Sequence, residues 1–149
     1  MHLQRHVLTA ATCVALATAA GAAQRDDRPS KEQEAKRPKI TLRAQPQVSV
    51  APARISLTAE LAGGADDFEE YYCPTIEWEW GDDTTSESKV DCDPYEPGKS
   101  QIRRRYTVQH QFRRPGAFRI YIHLKQKDRV LGSASTTIQV QPGLGGPFQ

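Results

Sequence analysis

Few residues in this chain have the types and spacing that catalysis requires. Glu77 and Glu79 alternate along one apolar-polar run, and on a strand their carboxyl groups would lie about 7 Å apart, within the range of inverting glycosidases. Alternating glutamates are, however, ordinary on the wet face of a sheet. His110 and His123 lie outside any nucleophile-elbow, zinc or phosphate-loop motif. The sequence therefore predicts no catalytic residues and a protein that is not an enzyme.

Carboxylates cluster at two places, Asp66-Asp67 and Asp82-Asp83. Clustered carboxylates suit Ca²⁺, but the spacing does not match a calcium loop of the Asp-x-Asn/Asp-x-Asp-Gly type. An aspartate that follows a strand can instead cap the turn by accepting bonds from nearby backbone N–H groups. We expect that role for Asp82, and no cofactor is predicted. The alternative is a Ca²⁺ site with these four aspartates as ligands.

The first segment of the chain has the layout of an export signal. Arg5 precedes an apolar stretch at 7–20, and small residues follow at Ala20-Gly21-Ala22. The apolar stretch is too short for a comfortable membrane span. We therefore predict a signal peptide over 1–23, a secreted or periplasmic location and no membrane span after cleavage. An uncleaved anchor is the alternative.

Cys73 and Cys92 are the cysteines that remain beyond this segment. An even number of cysteines in an exported chain favours a disulfide, and closing a loop of this size would contribute about 3 kcal/mol to stability. Two free thiols are the alternative.

Charge is distributed unevenly along the chain. Residues 60–96 hold thirteen Asp or Glu and one basic residue, whereas residues 99–129 hold ten Lys or Arg and one acidic residue. Such asymmetry can mark a polyanion-binding surface, or two halves of one domain that neutralise each other. We favour the second interpretation and expect no nucleic-acid partner, because Arg103-Arg104-Arg105 would alternate between the two faces of a strand.

The elements that must position these residues are strands. Apolar residues alternate with polar ones along several short runs, such as Ile76-Trp78-Trp80 and Phe118-Ile120-Ile122, and turn residues separate the runs. About seven such strands predict an all-β fold, an antiparallel β-sandwich over 46–141. Residues 24–45 are predicted to form a disordered charged linker, and 142–149 a flexible tail.

Two motifs resemble those of polycystic kidney disease (PKD) repeats, which are immunoglobulin-like β-sandwiches. Trp78-Glu79-Trp80-Gly81-Asp82-Asp83 resembles the family signature Trp-Asp-Phe-Gly-Asp-Gly. The later element His110-Gln111-Phe112, followed by Pro115-Gly116-Ala117-Phe118, resembles the His-Thr-Tyr and Pro-Gly-x-Tyr pair of that family. The resemblance covers about 48–140 and implies an immunoglobulin-like fold with Trp78, Trp80, His110, Phe112 and Phe118 as scaffold. It also implies contacts to a protein or a glycan.

The departures from that pattern indicate where function could lie. Asp83 replaces a usual glycine at a position that often needs positive φ, which Asp tolerates better than most residues. The segments before Cys73 and around Cys92 are longer than usual, so a disulfide would tie two insertions together. Tyr71 and Tyr72, next to Cys73, are therefore the candidate binding residues.

The sequence thus predicts a non-catalytic interaction, adhesion or adaptor module that binds a protein or a glycan. One alternative is a Ca²⁺-stabilised spacer module. Another is a small secreted enzyme inhibitor or accessory domain that acts through the Cys73–Cys92 loop region. The sequence leaves the oligomeric state open.

Overall fold

A computed structural model describes residues 31–143, which form a short helix and eight strands. The helix α1 spans Lys31–Lys36, and a single 3-10 turn spans Glu69–Tyr71. The strands are β1 Lys39–Gln45, β2 Val48–Val50, β3 Ala53–Ala62, β4 Thr75–Glu79, β5 Thr85–Ser88, β6 Arg105–Phe112, β7 Gly116–Gln126 and β8 Arg129–Gln141. The predicted all-β class is confirmed.

The strands form two sheets, one with the order β1-β3-β6 and one with the order β2-β8-β7-β4-β5. All neighbouring strands are antiparallel except β2 and β8, which pair in parallel. In the immunoglobulin scheme, β1, β3 and β6 take the places of strands A, B and E, while β8, β7 and β4 take those of G, F and C. The predicted immunoglobulin-like β-sandwich is therefore confirmed by strand order.

The core lies between the two sheets and follows the alternation seen in the sequence. Five inward-facing residues of β3 and β7 have no solvent exposure: Ile55, Leu57, Ile120, Ile122 and Leu124. Trp78, Trp80 and Phe112 are buried with them, and Phe118 packs against the cluster. The predicted core role of these aromatic residues is confirmed.

The predicted linker at 24–45 is wrong over its last part. Strand β1 pairs with β3 from Lys39 opposite Ala62 to Gln45 opposite Ser56, so the sandwich begins well before residue 46. The physical reason is that Ile40, Leu42 and Ala44 alternate with polar residues and turn toward the core. The charge of the preceding tail obscured this short pattern.

Several other boundary predictions lie partly or wholly outside the described residues. The predicted signal peptide at 1–23 and the linker residues 24–30 lie outside them, as do residues 144–149 of the predicted tail. The last strand ends at Gln141, where the folded unit was predicted to end.

The two sides of the sandwich differ in how they are closed. On one side the chain crosses between sheets, because β1 pairs with β3 whereas β2 pairs with β8. The crossing is fixed by bonds from the Gln139 N–H to the Gln47 carbonyl (2.8 Å) and from the Ala51 N–H to the Gln141 carbonyl (2.9 Å). On the other side, β5 and β6 are the outer strands of their sheets.

Candidate functional site

The segment between β5 and β6, residues 89–104, has no helix or strand and is here named the crossing loop. A disulfide between Cys73 and Cys92, with an S–S distance of 2.00 Å, ties its middle to the chain just before β4. The predicted disulfide is confirmed. Ordered loops longer than roughly 12–15 residues are uncommon in compact domains and are usually functional.

Hydrogen bonds also fix the crossing loop to its surroundings. Tyr72 donates its hydroxyl hydrogen to the Asp93 carbonyl (3.0 Å), and Tyr95 donates to the Asp67 carbonyl (2.6 Å). The N–H of Ile102, whose side chain is buried, donates to the Asp66 carbonyl (2.8 Å). The rings of Tyr72 and Tyr95 pack edge to face with centroids 5.4 Å apart. The loop is therefore held by one covalent bond and by several polar contacts.

The two candidate binding tyrosines have different roles. Tyr71 is 1% exposed and donates its hydroxyl to the Leu131 carbonyl (3.1 Å), so its prediction as a ligand contact is wrong. The 3-10 turn that ends at Tyr71 rotates successive side chains in different directions, which buries Tyr71 and leaves Tyr72 at the surface beside the crossing loop. Burial raises the pKa of the Tyr71 phenol, which keeps this hydroxyl a hydrogen-bond donor.

At the other end of the β4–β5 hairpin, Asp82 organises the turn. Its carboxylate accepts bonds from the Thr84 hydroxyl (2.5 Å), the Thr84 N–H (3.2 Å) and His110 Nε2 (2.8 Å). Because an ionised carboxylate only accepts, Nε2 of His110 carries the hydrogen. Burial raises the pKa of Asp82, but the bonds from His110 and Thr84 outweigh it and leave the pKa below its ordinary value. Asp82 is thus a turn residue, as the sequence suggested.

His110 also completes a column of stacked rings. Trp78 and Trp80 are parallel with centroids 5.5 Å apart, and Trp80 and His110 are parallel at 4.1 Å. Phe112 lies edge-on to His110 at 4.8 Å and contacts Phe118 at 4.7 Å. The motif residues therefore form one scaffold that joins the turn to the core.

Two residues of this turn have left-handed backbone conformations. Gly81 has φ of 75°, and a Cβ there would lie 2.5 Å from the Arg119 carbonyl oxygen, so only glycine fits. Asp83 has φ of 68°, the left-handed conformation that the glycine usual at this place in the PKD signature indicated. Pro115 and Gly116 form the bend that leads into β7 and brings Phe118 onto the column.

The four aspartates of the calcium alternative are not gathered into one site. Asp82 is engaged by His110 and Thr84, while Asp66 pairs with Arg104 (2.5 Å). Over residues 31–143, no three His, Cys, Asp or Glu side chains are grouped so that they could hold a metal ion. The geometry therefore gives the Asp66, Asp67, Asp82 and Asp83 set no support as a Ca²⁺ site.

The contacts of Thr84, His110 and Glu77, whose side chains could take part in catalysis, also differ from those of catalytic sites. The Thr84 hydroxyl bonds to the Asp82 carboxylate and not to the His110 imidazole, so the hydroxyl–imidazole contact of a nucleophile–histidine pair is absent here. Glu77 accepts a bond from Lys125 (2.5 Å), which lowers the pKa of its carboxyl, whereas a glycosidase acid needs a raised pKa. These contacts are typical of structural polar networks.

The two charge blocks neutralise each other in space, as the favoured interpretation predicted. Arg104 pairs with Asp66 and also donates to the carbonyls of Leu61, Gly63 and Gly64. The other cross-block ion pairs are Arg105–Glu60, Lys125–Glu77 and Arg129–Glu70. Of the arginines at 99–129, Arg103, Arg113, Arg114 and Arg119 make no ion pair within the described part of the chain, and Arg119 lies over the Tyr121 ring.

Concave surface lies on the open side of the sandwich, between β6 and the β4–β5 hairpin. A pocket of about 440 Å³ is lined by Asp82, Thr84, His110, Gln111, Phe112, Arg113, Arg114 and Phe118. Two smaller grooves of about 130 and 80 Å³ share Val90, Arg103 and Tyr106 in their walls. Sequence reasoning did not single out Val90, Tyr95 or Tyr106. Cys92 and the extra length of the segment around it were the sequence features that indicated this region.

No protein-family model and no curated protein matches this chain. Among solved structures, the PKD domain of an M14-like peptidase from Thermoplasmatales archaeon SCGC AB-540-F20 is similar, with a TM-score of 0.48 and 11% identity over 70% of this chain and 96% of that one. The CARDB domain of a Pyrococcus furiosus protein, solved in complex with di-metal ions, has a TM-score of 0.44 and 9% identity over 72% and 97% of the two chains. A superoxide reductase (neelaredoxin) from Ignicoccus hospitalis has a TM-score of 0.39 and 11% identity over 72% and 82%.

A PKD domain thus stands among the similar structures. At these identities and TM-scores the matches say nothing about function, and the fold assignment rests on strand order and register. Within residues 31–143, no helix has the length and apolar character needed to cross a membrane.

Proposed function

We propose that this chain is a non-catalytic, exported module that binds a partner protein through the crossing loop. The observation that carries the proposal is the fixed conformation of that loop. A disulfide and two tyrosine hydroxyls hold a segment that has no helix or strand of its own.

A loop fixed in this way loses little conformational entropy on binding, because it is ordered beforehand. Binding residues are concentrated on loops that a rigid scaffold positions. Val90 in the crossing loop is 43% exposed and adjoins Arg103, whose guanidinium lies 5.7 Å from the centroid of the Tyr106 ring. An exposed apolar residue beside tyrosine and arginine is the composition that protein interfaces favour.

The geometry of the aromatic pair favours a protein partner over a glycan. Sugar rings stack on flat aromatic faces, but the rings of Tyr72 and Tyr95 are inclined by 62° to each other. Their hydroxyls are also engaged by backbone carbonyls of the insertions. The pair shapes the loop and offers no continuous stacking platform.

Export is supported by two independent features. The first is the signal-like segment at 1–23, which the sequence predicts. The second is the Cys73–Cys92 bond, since structural disulfides persist in oxidising compartments and are rare in the cytosol.

The test is affinity capture from the native envelope or culture medium with the purified mature protein as bait. We expect one protein to be enriched, and the double variant Val90→Ser with Arg103→Gln to lower its yield at least tenfold. The matched control is Val48→Ser with Arg54→Gln, which changes an exposed valine on β2 and an exposed arginine on β3.

Equal capture by the loop variant and the wild type would overturn the proposal. Loss of capture after enzymatic deglycosylation of the extract would indicate a glycan instead. If the captured protein is an enzyme, an activity assay with and without the wild-type module decides whether the module acts as an inhibitor.

A further inference from the structure

One edge of the three-stranded sheet has backbone groups without strand partners. Within the described residues, β6 pairs only with β3. The Leu61 N–H donates to the Arg104 carbonyl (2.9 Å), and the register continues with Ala59 opposite Tyr106 and Leu57 opposite Val108. Hydrogen-bonded pairs alternate in an antiparallel ladder. The backbone groups that point away from β3 therefore belong to Arg105, Thr107, Gln109 and Gln111.

The open edge corresponds to a strand that immunoglobulin domains of the constant type possess. In those domains the A-B-E sheet continues with strand D, which the chain supplies between the C and E strands. Here the chain in that interval forms β5, which pairs with β4 in the other sheet, and then the crossing loop. The Cys73–Cys92 bond and the Tyr95–Asp67 hydrogen bond fix it at the end of the sandwich where β4 and β6 begin. The place of strand D beside β6 is thus left open.

Concave surface accompanies this edge along its length. The groove of about 130 Å³ lies between β6 and the end of β5, with Trp78, Ser88, Tyr106 and Val108 among its walls. The pocket of about 440 Å³ adjoins the other end of β6. A strand added to β6 would direct alternate side chains toward these two cavities.

A buried hydroxyl in the same groove has no partner. Tyr106 is 7% exposed, and its hydroxyl makes no hydrogen bond within the described residues. Buried polar groups in folded proteins are nearly always hydrogen-bonded, so an orphaned one in a groove indicates a missing acceptor.

The charges beside the β6 edge indicate which charge an added strand should carry. Arg103 lies just before β6, and Arg113 and Arg114 lie just after it. None of these three arginines makes an ion pair within the described residues. No residue of β6 is acidic.

We propose that β6 accepts an extended acidic peptide segment of a partner protein as an added antiparallel strand in the place of strand D. Backbone bonds to the outward groups of β6 supply the pairing, and carboxylates at the ends of the peptide meet the arginines. A second copy of this chain fits poorly, because antiparallel pairing of two β6 strands would bring Arg103 of each copy near Arg113 and Arg114 of the other. Contact through the crossing loop is a separate event, and neither proposal requires the other.

The test uses a synthetic ten-residue peptide of alternating valine and threonine with two aspartates at each end. Amide hydrogen exchange of the full mature protein is followed by NMR. We expect the amides of Thr107, Gln109 and Gln111 to gain at least tenfold protection with the peptide, while those of Val108 and His110, already bonded to β3, stay unchanged.

Two N-methylated peptides provide a control with the same sequence. In the first peptide, the methylated amides are the alternate ones whose N–H groups would point toward β6, so the bonds to β6 cannot form. In the second peptide, the methylated amides are those whose N–H groups would point away from β6, so the bonds to β6 remain possible. We expect the first peptide to give no added protection of the Thr107, Gln109 and Gln111 amides, and the second to protect them as the unmethylated peptide does. Equal behaviour of the two versions would contradict strand addition.

Protein variants test the same contact. Gln109→Pro removes an outward N–H without removing a bond to β3 and should weaken peptide binding at least tenfold, whereas Gln109→Ala should not. Because proline can disturb the strand, the fold is checked by circular dichroism. A second variant, Arg113→Glu with Arg114→Glu, should produce a similar loss, with Arg43→Glu plus Arg54→Glu as control.

Three results would overturn the proposal. One is the absence of added protection at Thr107, Gln109 and Gln111. Another is equal binding of the peptide with asparagine in place of aspartate. The third is protection of the same amides that rises with protein concentration alone, which would assign the edge to a second copy. None of these results involves Val90, and the variants that test the edge change Gln109, Arg113 and Arg114 and leave Arg103 in place, so a failure here is distinguishable from a failure of the loop contact.

Discussion

The two ends of the β4–β5 hairpin hold their loops by different physical means. At the turn that contains Asp82, a column of rings links the loop directly to the core through Trp80 and His110. At the other end, a disulfide and tyrosine hydroxyls link the crossing loop to neighbouring loops. The first arrangement makes the turn part of the global folding unit, whereas the second allows the loop to loosen while the sandwich stays folded.

The strongest test of this contrast is Trp80→Ala. The indole is 3% exposed and lies between Trp78 and His110, so its removal leaves a cavity and breaks the column. We expect a loss of about 3–5 kcal/mol in the free energy of unfolding, measured by urea denaturation. Tyr121→Ala, on the outer face of β7, is the matched control and should cost less. A loss below about 1 kcal/mol for Trp80→Ala would show that the turn is independent of the core.

The next largest effect is expected from Cys73→Ser with Cys92→Ser. The bond joins residues 19 apart in sequence, and its removal should lower stability by about 3 kcal/mol through the entropy of the unfolded chain. Hydrogen exchange should become faster in residues 89–104 than in β3 and β7. A wild-type sample under reducing conditions should match the variant. If exchange accelerated equally in all strands, the loop would be part of the same cooperative unit as the turn.

The turn should also respond to pH in a way that the crossing loop does not. The pKa of Asp82 is lowered in the folded protein, so its ionised form stabilises the fold above its ordinary pKa of 3.8. That contribution is lost as the pH falls through the lowered pKa. We therefore expect Asp82→Asn to cost about 1.5–3 kcal/mol near neutral pH, the range for hydrogen bonds to charged groups, and progressively less in acid below about pH 4.

The control for that titration is Asp83→Asn, because Asp83 is exposed and asparagine tolerates its positive φ. Denaturation curves at several pH values should show no comparable change for this variant. An Asp82→Asn penalty that stayed constant from pH 7 to pH 2 would contradict the assigned role of the carboxylate.

The same contrast explains what the sequence could predict. The core strands and the ring column follow from alternation and from local motifs, both of which are visible along the chain. The positions of Tyr71 and Tyr72 depend on a 3-10 turn of three residues, which is too short to produce a repeating pattern of apolar residues in the sequence. Strand β1 was missed because its three inward apolar residues follow a highly charged tail. Alternation locates residues that face the core, whereas loop contacts depend on bonds between segments that are far apart in sequence.

Tyr95→Phe should have a smaller effect, confined to the crossing loop. Its hydroxyl bond to the Asp67 carbonyl is at the surface, so its loss should cost about 0.5–1 kcal/mol at most. Tyr71→Phe is the informative partner, because it leaves the buried Leu131 carbonyl without a donor and should cost about 1–3 kcal/mol. Thermal denaturation of both variants checks the order of the two losses, and the reverse order would contradict the division between loop and core.

The smallest effect on stability is expected from Tyr106→Phe. Its hydroxyl is buried without a partner, so its removal should leave the free energy of unfolding unchanged or raise it. Burial raises the pKa of this phenol to about 12, and ultraviolet titration should lose one late-titrating tyrosine in the variant. If the hydroxyl donates to an added strand, the same substitution should weaken binding of the acidic peptide severalfold. A clear loss of stability in the isolated domain would instead show that the buried hydroxyl makes a hydrogen bond within the fold. Tyr106 would then offer no unpaired donor to an added strand.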